Sequence, residues 1–274
     1  MTFRASAPLT TEWEHFDLGI DHGVATVTFA RPDNLNALTF EVYADLRDLL
    51  AQLPERDDVD VLVITGTGRG FCSGGDVHEI IGALRGMDTR GLLEFTRMTG
   101  AVLQRLREIP LPVIAGVNGV AAGAGAVIAL GADIRVLARS ASLHLLFTRV
   151  GLSGADMGIA YLLPRLIGLA RATELLLLGD RVDADTALEY GLASRVVDDD
   201  ELPDAVGALA RRFADGPTLA YGATKALLTR EQDMSLQAAV ETEALTQALL
   251  MTSADHAEFY EAFSDRREPR WTGR

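Results

Sequence analysis

Two glycine-rich segments hold the residues whose types and spacing could do chemistry. They are residues 71–76 (FCSGGD) and residues 119–125 (GVAAGAG), and each follows an expected buried strand and precedes an expected helix. Glycine lets a backbone turn sharply or approach another group closely, so such segments can present N–H groups at one end of a sheet. Two N–H groups that converge on one oxygen would stabilise an enolate or a tetrahedral oxyanion, by roughly 3 to 4 kcal/mol per donor.

The stretch around the second segment, residues 112–133, has two other interpretations. No residue between Val113 and Ala132 is charged, so the stretch could span a membrane, although Ala and Gly dominate it in place of Leu and Phe. It could also form a tightly packed core helix without any chemistry. A nucleotide-binding loop is not indicated, since neither glycine segment matches G-x-G-x-x-G and no Walker lysine is present.

Strands and helices alternate over the first 200 residues, as an α/β layered domain requires. Alternating apolar residues predict a hairpin over residues 16–29, and the β-branched run 59–65 is typical of a strand covered on both faces. Helical spacing begins after Thr39, a residue type that can cap a helix N-terminus. Further helices are predicted over residues 76–84, 92–108, 157–167, 170–178 and 184–190, and further strands over residues 113–116, 134–137, 143–146 and 196–197.

From residue 201 onwards the patterns predict helices only. They cover residues 203–213, 218–228, 235–251 and 254–263, which divides the chain into a core of residues 1–200 and a helical region of residues 201–274. In the third of these helices, apolar residues from Leu236 to Leu249 share one face. That face must pack against the chain's own core or against a neighbouring subunit, and the pattern leaves both open.

The composition restricts the classes of partner. The 274 residues carry a formal charge of −14 and a pI near 4.7, which argues against nucleic acid or an anionic membrane as a partner. Cys72 is the only cysteine and the five histidines lack metal-binding spacing, so neither an intramolecular disulfide nor a metal site is expected. The N-terminus shows no secretory signal, which together with the single thiol predicts a cytoplasmic protein.

Motifs along nearly the whole chain resemble those of the crotonase, or enoyl-CoA hydratase/isomerase, superfamily. They are residues 31–38 (RPDNLNAL), 63–76 (VITGTGRGFCSGGD), 112–125 (PVIAGVNGVAAGAG), 163–168 (LPRLIG) and 178–181 (LGDR). The resemblance implies a spiral of ββα units carrying a C-terminal helical region that builds homotrimers or dimers of trimers. It also implies acyl-CoA thioesters as substrates, with coenzyme A as part of the substrate and no permanently bound cofactor.

The resemblance also places functional groups on particular residues. The two N–H groups of the family's oxyanion hole fall on Gly75 and Ala124. Removal of a proton next to a thioester carbonyl creates an enolate, which two fixed donors would stabilise. The contacts to the adenine and pantetheine parts of coenzyme A fall on Asn34, Leu35, Asn36 and Ala37 and on Cys72, Ser73 and Gly75.

The chain departs from the family at two positions where its hydratases carry glutamates that position and activate water. Those positions fall on Val127 and Phe147, and neither side chain can move a proton. Asp156 is the nearest acidic candidate and resembles an aspartate that some isomerases of the family carry, although one extra residue precedes it here. It could instead cap the helix predicted from Met157.

The leading hypothesis is an acyl-CoA enzyme of the hydratase/isomerase type in which double-bond isomerisation is favoured over hydration. One aspartate beside an enolate can take a proton from one carbon and return it to another. Another reaction on the same oxyanion hole, whether thioester hydrolysis, C–C cleavage or decarboxylation, stays open. A non-catalytic acyl-CoA-binding protein also stays open, because Val127 and Phe147 replace the acidic residues.

Overall fold

The computed structural model describes residues 12–274, and these form ten strands in two sheets. The strands are β1 (Asp17–Asp21), β2 (Val24–Phe29), β3 (Val61–Gly66), β4 (Gly70–Cys72), β5 (Val113–Val117), β6 (Val120–Ala122), β7 (Ile134–Ala138), β8 (Ser142–His144), β9 (Arg181–Asp183) and β10 (Arg195–Val197). The first sheet has the order β1-β2-β3-β5-β7-β10 and the second the order β4-β6-β8-β9. Neighbouring strands are parallel except in the pairs β1–β2 and β8–β9.

Residues 12–274 also form eleven α-helices. They are α1 (Phe40–Gln52), α2 (Gly82–Leu84), α3 (Thr89–Glu108), α4 (Ala124–Gly131), α5 (Ile159–Ile167), α6 (Leu169–Leu178), α7 (Ala184–Tyr190), α8 (Leu202–Ala214), α9 (Thr218–Arg230), α10 (Leu236–Leu250) and α11 (Ala254–Asp265). The helix predicted over residues 76–84 is a π-helical turn, Val77–Ile81, that continues into the single turn of α2.

From β3 to β8, successive strands alternate between the two sheets, and a helical segment follows each pair. β3 lies in the first sheet and β4 in the second, and the pairs β5–β6 and β7–β8 repeat this arrangement. Each step is a ββα unit, so the chain winds as the α/β spiral that was predicted. Residues 112–133 form two strands and the eight-residue helix α4, and their interpretation as a membrane span is therefore wrong.

The first sheet is covered on one face by α8, which packs against β2, β3, β5 and β7, and it meets the second sheet through contacts of β4 with β3 and β5. This double cover explains why β3 and β5 are continuous apolar runs without alternation. α8 begins at Leu202, immediately beyond the predicted division at residue 201, and that division stays a prediction.

The apolar face of α10 has no cover within the part of the chain that the structure describes. Leu236 is 81%, Val240 54% and Leu249 72% exposed. The core formed by residues 12–274 therefore does not bury this face, and its packing against a neighbouring subunit stays a prediction. None of the helices in residues 12–274 combines the length and the apolarity that crossing a bilayer requires.

Lys225, the only lysine of the chain, ties α9 to the rest of the fold. Its ammonium group donates to the carbonyls of Leu106 at 2.8 Å and Leu111 at 2.9 Å, and it lies 2.8 Å from the Asp133 carboxylate. The Lys225 side chain is 7% exposed. Burial lowers the pKa of Lys225, while the Asp133 charge opposes that change.

Candidate active site

Gly75 follows β4 and pairs with Leu38 through an isolated parallel bridge. The Leu38 N–H donates to the Gly74 carbonyl at 2.8 Å, and the Asp76 N–H donates to the Leu38 carbonyl at 2.8 Å. In a parallel pairing, the residue between two bonded neighbours points its own N–H away from the partner strand. The Gly75 N–H is therefore directed away from Leu38, and it has no backbone acceptor among residues 12–274.

Ala124 is the first residue of α4, so its N–H has no acceptor within the helix. The helical hydrogen bonds start with the Val127 N–H, which donates to the Gly123 carbonyl at 3.1 Å. Gly123 has φ of 51° and ψ of −123°, a conformation that glycine adopts without a steric penalty. All eight residues of α4 are buried, which strengthens a hydrogen bond from its free N-terminal N–H groups to an anion.

The two glycine-rich segments are packed against each other. A β-carbon built on Gly74 would lie 2.9 Å from the Ala122 carbonyl oxygen and 3.4 Å from the Ala124 nitrogen. A β-carbon built on Gly125 would overlap the Cys72 carbonyl. The absence of side chains at these glycines lets the two backbones touch, which brings the segments together as a shared oxyanion site requires.

The two segments predicted to contact coenzyme A, residues 34–37 and 72–75, are held together by hydrogen bonds. The Ser73 N–H donates to the Leu35 carbonyl at 2.9 Å, and the Ser73 hydroxyl donates to the Asn34 carbonyl at 3.2 Å. Asn34 is exposed, while Leu35 and Ser73 are half-buried. These three residues therefore present atoms that a ligand could reach.

Asn36, Ala37 and Cys72 have buried side chains instead. The Asn36 amide donates to the Gly70 carbonyl at 2.7 Å, and its oxygen accepts from the Arg31 N–H at 2.9 Å. Burial raises the pKa of Cys72 to about 12, so the thiol stays protonated. A ligand could reach these three residues only through backbone atoms.

Asp156 lies in the loop before α5 and is half-buried. Its Oδ1 accepts from the Met157 N–H at 2.8 Å, but α5 begins only at Ile159, with Gly158 as its N-terminal cap. The prediction that Asp156 caps a helix from Met157 is therefore wrong. Its Oδ2 has no hydrogen-bond partner in the described residues. Burial raises the pKa of Asp156, and the Met157 N–H opposes this change.

The carboxylates next to the first glycine segment are already paired. Asp76 accepts from the N–H groups of Glu79 at 3.1 Å and His78 at 3.0 Å, and these bonds, with nearby Arg31, lower its pKa. The Glu79 carboxylate accepts from Arg31 at 2.8 Å. Arg31 thus pairs with both carboxylates. Asp156 differs from both because it has no cationic partner among the described residues.

Tyr43 of α1 lies beside Gly75. Its hydroxyl oxygen lies 3.9 Å from a β-carbon built on Gly75. Burial raises the pKa of Tyr43 well above its ordinary value, and Cys72 and Asp156 add to this effect. Sequence reasoning missed Tyr43, because an aromatic residue beside the apolar position Val42 looks like an ordinary core residue.

Two cavities lie close to these elements. One of about 940 Å³ separates the first sheet from α8, and one of about 560 Å³ lies between α3 and α5. Met157 and Gly158, next to Asp156, line the second cavity, whereas Gly75 and Ala124 line neither. The candidate site is therefore defined by its backbone donors and its carboxylate, and not by cavity volume.

Comparison with known proteins identifies the family of this chain. The family model described as enoyl-CoA hydratase/isomerase matches residues 19–274. A 1,2-epoxyphenylacetyl-CoA isomerase from Escherichia coli is 39% identical over 260 residues, which cover 93% of this chain and 97% of the relative. A protein from Rhodobacter capsulatus assigned as an enoyl-CoA hydratase is 37% identical over 255 residues, which cover 93% and 96% of the two chains.

A crystal structure supports the same assignment. It comes from Streptomyces coelicolor, is assigned as an enoyl-CoA hydratase, and is 60% identical with a TM-score of 0.98 over 100% of both chains. The chain therefore belongs to the enoyl-CoA hydratase/isomerase, or crotonase, family of enzymes.

Proposed function

We propose that this enzyme moves a double bond in an acyl-CoA thioester through an enolate, with Asp156 as the proton carrier. The observation that carries the proposal is the half-buried Asp156 carboxylate with an unpaired oxygen, in a site where Val127 and Phe147 replace the glutamates expected of a hydratase. One carboxylate suffices to transfer a proton between two carbons, whereas hydration also needs a water to be positioned and activated.

In the proposed reaction, the Asp156 carboxylate takes a proton from the α-carbon of a β,γ-unsaturated thioester. The electron pair of that C–H bond forms a dienolate, whose negative oxygen accepts hydrogen bonds from the Gly75 and Ala124 N–H groups. The Asp156 carboxylic acid then gives the proton to the γ-carbon, which yields the α,β-unsaturated thioester and restores the carboxylate. The raised pKa of Asp156 makes its carboxylate a stronger base than an ordinary one.

The relatives support two candidate reactions. The Escherichia coli relative is an isomerase of an acyl-CoA, which favours the proposed reaction class. The Rhodobacter capsulatus relative is assigned as a hydratase and keeps hydration as the second candidate.

The proposal also covers binding and assembly. Coenzyme A would lie along residues 34–37 and 72–75, where Asn34, Leu35 and Ser73 are accessible. Subunits would associate as a homotrimer or a dimer of trimers through the exposed apolar face of α10. A single cysteine, Cys72, fits a reducing compartment such as the cytoplasm.

The test is deuterium exchange in heavy water, followed by mass spectrometry of β,γ- and α,β-enoyl-CoA thioesters. We expect the wild type to incorporate deuterium and to interconvert the two isomers. Asp156→Asn keeps an acceptor for the Met157 N–H but removes the base, so exchange should fall by about 10²- to 10⁴-fold. Asp200→Asn, at an exposed position, is the matched control and should behave as the wild type.

Each alternative gives a different product in the same assay. A 3-hydroxyacyl-CoA product without isomerisation supports hydration, while free coenzyme A or carbon dioxide supports thioester hydrolysis or decarboxylation. Tight thioester binding without any exchange supports a non-catalytic binding protein. Unchanged exchange in Asp156→Asn shows that another group carries the proton.

A further inference from the structure

The Tyr43 hydroxyl is an unpaired donor in an otherwise buried side chain. Tyr43 is 3% exposed, and its hydroxyl has no hydrogen-bond partner within residues 12–274. In this part of the chain, two side-chain atoms are both fully enclosed and without a hydrogen-bond partner, Trp13 Nε1 and Glu231 Oε1. The Tyr43 oxygen also lacks a partner but is not fully enclosed. It therefore borders open space that a water or a ligand atom can enter.

The direction of this hydroxyl is fixed by packing. The edge of the Phe95 ring meets Tyr43 at a centroid distance of 5.9 Å, and Phe95 packs in the same way on Phe40 at 5.3 Å. A β-carbon built on Gly75 would lie 3.9 Å from the Tyr43 oxygen and 3.8 Å from Ile80 Cδ1. Tyr43 thus presents its hydroxyl beside Gly75 from a wall of apolar and aromatic side chains.

The hydroxyl acts as a hydrogen-bond donor under physiological conditions. Burial raises the pKa of Tyr43 and the charge of the Asp156 carboxylate adds to this effect, so the phenol stays protonated. Asp156 is the nearby charged acceptor, yet no hydrogen bond joins it to Tyr43. The proposed function assigns the thioester oxygen to the Gly75 and Ala124 N–H groups, so the acceptor for Tyr43 must be a different atom.

We propose that Tyr43 determines substrate specificity by donating a hydrogen bond to an oxygen atom that the acyl group carries beyond its thioester carbonyl. The preferred substrates are then acyl-CoA thioesters with a hydroxyl, keto or ring oxygen in the acyl part. This inference rests on the proposed function, because it places the acyl group beside Gly75. A site that offers a desolvated donor rejects an acyl group without an acceptor, since the donor is then left unpaired.

The experiment compares pairs of thioesters with equal numbers of acyl carbons, one plain and one oxygenated. Deuterium exchange gives kcat/KM for the unsaturated members, and calorimetry gives Kd for their saturated, unreactive counterparts. We expect the wild type to favour the best oxygenated member by about tenfold to hundredfold. Tyr43→Phe should reduce this preference to about threefold or less, while exchange of the plain thioester continues.

The matched control is Tyr190→Phe in α7, where the ring lies 4.2 Å from the Arg171 guanidinium and away from the glycine segments. This variant should keep the wild-type preference. The inference is overturned if the wild type and Tyr43→Phe prefer the oxygenated thioester to the same degree. It is also overturned if neither protein shows such a preference. A change confined to the acid limb of the pH profile also overturns it, because Tyr43 would then act by positioning Asp156.

The readouts separate this inference from the proposed function. If no thioester exchanges deuterium but the calorimetric preference depends on Tyr43, the proposed reaction fails and the specificity role stands. If deuterium exchange occurs but the preference does not depend on Tyr43, the proposed reaction stands and the specificity role fails. Tyr43→Phe removes an unpaired donor, so its ligand-free Tm should equal or exceed that of the wild type; a lower Tm with an unchanged preference would show a structural role instead.

Discussion

Ala124→Pro removes one proposed oxyanion donor and leaves the helix that carries it in place. Ala124 is the first residue of α4, where proline is favoured because the N–H is unpaired and the fixed φ suits a helix. Proline also requires the preceding residue to avoid the right-handed helical region, and Gly123, with φ of 51° and ψ of −123°, does so. The substitution therefore tests the N–H group itself.

The magnitude follows from the environment of this N–H. Ala124 is 5% exposed and the rest of α4 is buried, so water cannot easily replace the lost donor. Loss of one such donor costs about 10² to 10³ in kcat, or roughly 2.7 to 4 kcal/mol. We expect deuterium exchange and isomerisation to fall by this factor, while thioester Kd changes by about threefold at most because the N–H acts mainly in the transition state.

The control for this prediction is Ala184→Pro. Ala184 is also a buried alanine at the first position of a helix, α7, and Asp183 before it has an extended backbone that accepts a following proline. Its Tm change measures the structural cost of proline at such a position. If Ala124→Pro keeps its Tm and exchanges deuterium within about threefold of the wild type, Ala124 is not an oxyanion donor.

Three further predictions concern stability and pH. Gly75→Ala should have a Tm close to that of the wild type, because its new methyl group would have only ordinary contacts at 3.8 and 3.9 Å. Gly125→Ala should lower Tm strongly, because its methyl group would overlap a backbone carbonyl. Equal Tm values for the two variants would contradict this prediction. Asp156→Asn should raise Tm at pH 7 and leave Tm unchanged below pH 3.8, the ordinary pKa of an aspartate. The reason is that the pKa of Asp156 is raised in the folded state, so its ionised carboxylate destabilises the fold as pH rises. A higher Tm at low pH alone would contradict this prediction. Lys225→Met should lower the free energy of unfolding, measured by urea titration, by about 3 to 5 kcal/mol. The substitution leaves a carboxylate and two carbonyls without their buried donor. A loss below about 1 kcal/mol would contradict this explanation.

Local signals in the sequence predict much of this fold. Thr39 caps α1 as expected, with its hydroxyl oxygen accepting from the Val42 N–H at 3.4 Å, and the β-branched run that ends near Thr65 forms β3. The strands β4, β6 and β9 have three residues each, which is too short for a period of two to be seen. Met157 and Gly158 both have positive φ, and this delays α5 beyond its predicted start.

The sequence likewise predicts some parts of the candidate site and misses others. Glycine is a local signal, so the two segments that carry Gly75 and Ala124 can be recognised without a structure. The position of Tyr43 beside Gly75 and close to Asp156 cannot, because it depends on how α1 packs against a loop that is distant in sequence. The apolar face of α10 is visible as a sequence pattern, but only the fold shows that the other residues of the range 12–274 leave it exposed.

The buried position of Lys225 has a consequence for self-modification. Thioesters are electrophiles that acylate free amines, and lysine side chains are the usual targets of acylation in proteins. Here the amine of the single lysine is enclosed by two carbonyls and the Asp133 carboxylate. The chain's other basic side chains, apart from its histidines, are arginines, which stay protonated. An enzyme that handles activated acyl groups thus exposes no lysine on which they could be lost, and its surface charge would persist through prolonged contact with its own substrates.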